Sequence, residues 1–314
     1  MQLHLDQEIF DEIVQLTASY IKLPLNVIIK DYFITLLLFN LSKNELCEKV
    51  VFKGGTSLSK CYPNSIERFS EDIDLTFIPD ATMSNKDINK TLKLIEKIMV
   101  DNAHFEPILK ERNSRNKSAY VWFRSNDLFG DRIKLEIGSS VRPHPYSKRR
   151  FSSYVCDYLN SIDRTDIIKQ FNLNDVLLNV LHIERTFIDK VMAVKRHFVC
   201  NTLEDKVRHI YDVVQIFERE EIQKLLNDKE SLKKIVRITK ETDSSYLSKR
   251  GLSNKYNPNE PYNFETFKKN INQEVISNYE RLHESLLYTN QKQDWKQAEQ
   301  VFSKINNFFK AIDE

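Results

Sequence analysis

The stretch Val51–Phe77, VFKGGTSLSKCYPNSIERFSEDIDLTF, holds two of the five glycines in the chain, and the two are adjacent. A chain of 314 residues with ordinary usage, roughly 7% glycine, would carry about twenty. The Gly54-Gly55 pair therefore marks a point where the backbone has a special task. Before it, Glu48 to Phe52 reads as a short apolar strand that runs into Lys53. After it, Thr56-Ser57-Leu58-Ser59-Lys60 reads as the first turn of a helix, with hydroxyls available as caps. Such a turn offers free N–H groups and a helix dipole to a phosphate, and glycine lets the ligand approach the backbone closely. Tight strand-to-helix turns also take Gly-Gly for steric reasons alone, so both readings of the turn stand.

The carboxylates downstream shift the balance. In Asp72-Ile73-Asp74-Leu75-Thr76-Phe77 polar and apolar residues alternate, as on a half-buried strand, so Asp72 and Asp74 share one face while Ile73 and Leu75 enter the core. Two neighbouring acids repel each other unless a cation lies between them. Hard Mg²⁺ binds through carboxylates and substrate phosphates, so an acid pair beside a phosphate cradle makes a coherent site. In Arg132-Ile133-Lys134-Leu135-Glu136-Ile137 the same alternation puts Glu136 on a polar face. Two readings stand for it: the third carboxylate of a metal site, or a surface acid paired with Lys134.

Outward from this segment, residues 6–42 read as two helices, with Ile9, Ile13, Leu16 and Tyr20 at helical spacing, and residues 86–101 as an amphipathic helix. Ala119 to Arg124 and Arg132 to Ile137 read as strands joined by the turn-rich SNDLFGD. Beyond about residue 165 the pattern is helical nearly to the end, interrupted by the loop GLSNKYNPNEPYNF at 251–264. The expected division is residues 1–165 as an α/β domain with N-terminal helices, and residues 166–314 as a helical bundle. At 41% hydrophobic and 29% charged residues, the chain has material for real cores and is not disordered. A net charge of +2 argues against a whole-surface nucleic-acid coat but leaves room for a local basic patch. Four scattered cysteines without C-x-x-C spacing read as free thiols of a reducing compartment. The N-terminal residues lack the apolar core of a signal peptide, and the longest apolar run, Phe33–Phe39, is far short of the roughly 20 residues that span a bilayer. The expectation is a cytoplasmic protein with no membrane partner.

The glycine turn, a spacer, the D-x-D strand and the later acid on a strand together resemble the DNA polymerase β-like nucleotidyltransferases. More narrowly, KDYFITLLLFNL, FKGGTSLSK, RFSEDIDL, ERTFIDKVMAVKRH and RHIYDV are similar to the AbiEii/AbiGii toxin family. The resemblance runs from about Lys30 to Phe217. It implies a mixed-sheet nucleotidyltransferase domain followed by a helical bundle. It also implies Mg²⁺-dependent transfer of a nucleoside monophosphate from an NTP to an acceptor hydroxyl, in an abortive-infection or toxin–antitoxin system with a cognate antitoxin. On it, Lys53, Gly54, Gly55, Thr56 and Ser57 would hold the triphosphate, and Asp72, Asp74 and Glu136 would hold metal and assist catalysis. Lys190 would supply the basic position and also contact nucleotide, and Asp212 the acid of the last motif. Taken alone, Lys190 reads as a solvent-facing helix lysine, and Asp212 as equally half of a helix ion pair with Arg208.

The acceptor is open. Basic runs at 110–117 (KERNSRNK) and 142–150 (RPHPYSKRR), with Tyr120, Trp122 and Tyr146 nearby, suit an RNA backbone and an unstacked base, or are ordinary solvated loops. Members of the resembled family are associated with modification of tRNA ends, which makes tRNA the leading acceptor. The alternatives are a small-molecule nucleotidyltransferase of the antibiotic-modifying type and a nucleotide-binding module without catalysis.

Overall fold

Two helices open the chain, as their apolar spacing predicts, but with a different stripe inward. In α1 (Gln7–Ile21) the buried residues are Phe10, Ile13, Val14 and Thr17, while Leu16 and Tyr20 are exposed. Both stripes have helical spacing, and packing decides between them: the Phe10 ring meets Tyr32 of α2 (Leu25–Ser42) edge-on at 5.0 Å. Among the described residues α2 is the one helix long and apolar enough to cross a bilayer, yet 72% of it is buried within the protein. It is a core helix. The computed structural model describes residues 1–70, 72–123, 132–250, 255–285, 287–289 and 291–313. The turn expected at 125–131, together with Arg124 and the first four residues of the loop at 251–264, falls outside them.

Among the described residues seven strands follow: β1 (Val50–Lys53), β2 (Asp72–Phe77), β3 (His104–Pro107), β4 (Asn116–Trp122), β5 (Arg132–Gly138), β6 (Tyr146–Phe151) and β7 (Val176–Leu181). They form one mixed sheet in the order β3-β4-β5-β2-β1-β7-β6. At its centre β1 runs antiparallel to β2 and parallel to β7, and β2 runs parallel to β5. Between the strands lie α3 (Gly54–Cys61), α4 (Asn85–Val100), α5 (Tyr154–Ser161) and α6 (Thr165–Gln170). Ser84 caps α4 by accepting the Asp87 N–H at 3.2 Å, and the helix buries Ile88, Leu92, Ile95 and Met99 against β4, β5 and α2. The apolar positions of β5, Ile133, Leu135 and Ile137, are fully buried, leaving its polar positions on the other face.

Beyond the sheet the chain is helical: α7 (Ile183–Val199), α8 (Arg208–Ile216), α9 (Glu220–Asn227), α10 (Lys229–Arg250), α11 (Phe264–Phe267), α12 (Gln273–Glu280), α13 (Leu282–Ser285) and α14 (Trp295–Asp313). The fold class is thus the expected one, a mixed-sheet α/β part and a helical part. Two compact units result: residues 1–61, 70–139 and 146–180, and residues 62–69, 140–145 and 181–314.

Two strands depart from the sequence reading. Val176–Leu181, VLLNVL, lies past the expected limit at 165, in sequence where strand signals had been read as ended, yet it occupies the sheet beside β1. The run is apolar but for Asn179, with Leu177 exposed and the other five positions buried, and periodicity cannot separate so short an apolar run from a helix turn. Asn179 ties it in place, its side-chain amide donating to the carbonyls of Glu48 (3.0 Å) and Val50 (3.3 Å). The other strand, Tyr146–Phe151, lies within the run read as a basic loop; it forms the sheet edge, with Lys148 paired to Glu48 and Arg150 to Asp175.

Candidate active site

The turn from β1 into α3 is built around one aspartate. Gly54 has φ +85°, a conformation that L side chains rarely adopt. A Cβ added there would lie 3.2 Å from both Cβ and Cγ of Asp74 and would overlap its Oδ2. The steric reading of the glycine is therefore correct, but the group that needs the room is one of the paired acids. Gly54→Ala combines a backbone penalty of about 1–2 kcal/mol with displacement of that carboxylate. The expected outcome is a modest fall in melting temperature and a loss of at least tenfold in any activity that depends on the Asp74 carboxylate (~10-fold, equivalent to ~1.4 kcal/mol). A Gly54→Ala protein with wild-type turnover would remove Asp74's placement from any account of the chemistry.

Asp72 and Asp74 share a face of β2 and are both partly exposed, with Ile73 and Leu75 buried beneath. Directly across, Lys53 pairs in register with Asp74 and its Nζ lies 3.8 Å from Oδ1. On the other side the parallel register sets Lys134 beside Asp72 and Glu136 beside Asp74. Glu136 thus reaches the expected position, but its carboxylate is ion-paired with Lys134, two residues away on the same face, and Lys134 also reaches Glu111 at 2.9 Å. Burial opposes the charge on Lys134, yet hydrogen bonds from Glu136 and Glu111 outweigh it and hold its pKa above the usual lysine value. Among the described residues no three His, Cys, Asp or Glu side chains converge on one cation position. The donor set that fits a hard divalent ion is the Asp72–Asp74 pair, since Mg²⁺ takes one or two carboxylates and completes its shell with water and phosphate.

In α3, Thr56 and Ser57 are buried, and their hydroxyls are committed inward. Thr56 Oγ1 reaches Ser70 Oγ (2.9 Å) and the Asp72 carbonyl, pinning the helix to β2; Ser57 Oγ donates to the Gly54 carbonyl at 2.9 Å. What this turn presents to an anion is therefore main-chain N–H at the helix start, together with Lys53. In the basic run at 110–117, Arg112 grips Glu96 through two bonds (2.5 and 2.8 Å) and Lys117 is buried with its ammonium on the Asn113 carbonyl, while Lys110 is exposed and Arg115 partly so.

The helical unit holds Lys190 (α7) and Asp212 (α8), and joins them to a residue that sequence reading missed. Arg68 donates to Asp212 Oδ1 through Nε (2.6 Å) and to Oδ2 through Nη2 (2.8 Å), and Lys190 Nζ lies 2.5 Å from Oδ2. All three are buried, with Asp212 at 0% exposure. Burial alone would raise the Asp212 pKa, but Arg68 and Lys190 outweigh it and hold the carboxyl well below the usual range. The partner weighed from sequence, Arg208, is not the one found. Lys190 is a buried lysine, not a solvent-facing one. The Glu67–Arg68 backbone is clamped in the same unit: the Glu67 N–H donates to Tyr211 Oη (3.2 Å), and Tyr288 Oη donates to the Arg68 carbonyl (3.1 Å). The one signal for Arg68 in the sequence is its position in the RFSEDIDL string.

A mixed sheet whose glycine turn is shaped around one of two same-face aspartates, joined to a helical unit, defines the class of the nucleotidyltransferases. Residues 36–302 match the family model described as nucleotidyl transferase AbiEii toxin, Type IV TA system, and the chain belongs to that family. It is accordingly a nucleotidyltransferase toxin of a type IV toxin–antitoxin system. No curated protein matches the sequence. Among solved structures, it is similar to MenT4, a nucleotidyltransferase toxin from Mycobacterium tuberculosis H37Rv, at 16% identity and a TM-score of 0.48, covering 95% of this chain and 98% of that one. It is also similar to JHP933 from Helicobacter pylori, at 15% identity and a TM-score of 0.38, covering 92% of this chain and 98% of that one.

Proposed function

We propose that the protein transfers a nucleoside monophosphate from an NTP to a hydroxyl of an RNA acceptor, with tRNA the leading candidate, using Mg²⁺ held by Asp72 and Asp74. The observation that carries this reading is the fit of Gly54 against Asp74, which commits the glycine turn and the acid pair to one site. The acceptor oxygen attacks the α-phosphorus, the α–β bridging P–O bond breaks, pyrophosphate leaves with the bond electrons, and the hydroxyl proton passes to a carboxylate or to water. Bound Mg²⁺ supplies Lewis-acid polarisation of the phosphate. Asp72 and Asp74 would hold it from one strand face. The N–H groups at the start of α3 and the Lys53 ammonium orient the β- and γ-phosphates, and so favour an in-line approach. Lys190 is assigned to charge on the triphosphate, and Asp212 to holding Lys190. Glu136, paired with Lys134, tunes charge beside Asp74. A cytoplasmic location and a cognate antitoxin accompany this reading.

The test is incubation of the purified protein with Mg²⁺, each α-labelled NTP in turn, and total bacterial RNA. Label in tRNA-sized RNA, lost when Asp72 and Asp74 are replaced, is the expected result. Label on protein would replace the acceptor. Absence of label from all four nucleotides, with a thermal shift still produced by an NTP, would overturn catalysis in favour of a binding module.

A further inference from the structure

The face of the sheet that carries the two aspartates continues across two more strands, and there it changes character. Register sets Tyr120 of β4 opposite Lys134 of β5, and Trp122 opposite Arg132. Lys134 is itself in register with Asp72. Residues directly opposite one another project from the same face, so Asp72, Lys134, Arg132, Tyr120 and Trp122 share it. On that face the Arg132 guanidinium lies 3.8 Å from the centre of the Tyr120 ring and 5.5 Å from that of Trp122. Trp122 is 5% exposed, and its Nε1–H is buried with no acceptor among the described residues. Arg132 and Tyr120 are only partly buried. The opposite face of these strands is closed by α4 against Ala119, Val121, Ile133 and Leu135.

We propose that Tyr120 and Arg132 form a stacking platform for a nucleobase, placed one to two strands over from the acid pair. This rests on the nucleotidyl-transfer reading of Asp72 and Asp74. A guanidinium held 3.8 Å from the centre of an aromatic ring is pre-organised, and guanidinium and ring each offer a flat surface on which a base can stack. The spacing suits it. Arg132, one strand across and two residues back, is about 8 Å from Asp72, and Tyr120, two strands across, about 10 Å, taking ~4.8 Å between strands and ~3.3 Å per residue. That is the scale of one nucleotide, from a phosphate at the acids to its base at the platform. The base belongs either to the NTP or to the 3′ end of the acceptor. Both sources present the same chemistry, a flat π-face beside a phosphate.

Equilibrium binding by titration calorimetry separates the sources. The probes are the four NTPs with Mg²⁺, inorganic triphosphate with Mg²⁺, and a single-stranded oligoribonucleotide with a free 3′ hydroxyl. The variants are Tyr120→Ala, Arg132→Lys (charge kept, flat surface removed) and Tyr120→Phe (ring kept), each checked by thermal melt. The proposal expects Tyr120→Ala and Arg132→Lys to weaken a base-bearing probe about tenfold or more, with inorganic triphosphate unchanged and Tyr120→Phe within about twofold of wild type. Weakened NTP binding assigns the platform to the donor base. Weakened oligoribonucleotide binding alone assigns it to the acceptor. Wild-type affinity for every base-bearing probe in a folded Arg132→Lys protein overturns the proposal, as does an equal loss for inorganic triphosphate. Failure of the transfer reading shows separately, as a wild-type protein that binds no NTP; the oligoribonucleotide arm then still decides the stacking claim.

Discussion

Asp74→Ala, and likewise Asp72→Ala, is expected to reduce nucleotide transfer by about 10³-fold or more while leaving the protein folded. Both side chains stand on the partly exposed face of β2, outside the apolar core that Ile73 and Leu75 enter. The one ion pair recorded for Asp74 is the 3.8 Å contact with Lys53, a partly exposed pair of the kind worth at most about 1 kcal/mol. Removing either acid also relieves repulsion between the two, so the melting temperature should stay within about 2–4 °C of wild type and can rise. The bond from the Thr56 hydroxyl to the Asp72 carbonyl uses the main chain and survives the substitution. Labelled-nucleotide transfer and a thermal melt on the same preparations check both halves. A strongly unfolded Asp72→Ala would mean that the acid serves the fold, and the site assignment would be lost.

Asp212→Ala should behave in the opposite way, with stability as the primary casualty. The carboxylate is fully buried and receives two bonds from Arg68 and the ammonium of Lys190. Deleting it leaves two buried cations without it, and breaking buried pairs of this kind costs about 3–5 kcal/mol. Urea denaturation read by circular dichroism measures it. A wild-type midpoint would show that the triad does not hold the helical unit together. The pH dependence follows from the sign of the shift. The folded pKa lies below the unfolded value of about 3.9, so the contribution is present above that value and is lost only as the pH falls through the lower folded one. Between about pH 5 and 8 the Asp212 contribution should therefore be flat. Asp212→Asn keeps the shape and one acceptor oxygen. If that variant folds but fails to transfer nucleotide, the charge on Asp212 serves the chemistry through Lys190.

Much of this was legible in the residues. Alternation alone placed Asp72 and Asp74 on one face and Glu136 on the neighbouring polar face, because a strand's period of two leaves no other arrangement once Ile73 and Leu135 are buried. The scarcity of glycine drew attention to Gly54, though its reason, the bulk of Asp74, needed the tertiary contact. The pairing of Glu136 with Lys134 was visible as one of two readings; that Glu111, just ahead of β4, shares the same lysine was not. Arg68 was not legible. An arginine in a polar stretch gives no sign that it will be buried, and its partner is 144 residues away. Nor was β7, whose apolar run fits a helix as well as a strand.

The position of that last strand also bears on how the protein is made. Val176–Leu181 lies between β1 and β6, so while the ribosome is still reading earlier codons, the glycine turn and both aspartates have emerged from an unfinished sheet. β1 then has a bare edge and β6 has no neighbour, the unpaired backbone that recruits other chains. A fragment ending at residue 165 would contain Asp72, Asp74 and Glu136 and still be aggregation-prone. Synthesis past residue 181 is what supplies the strand that joins β1 to β6 and completes the sheet.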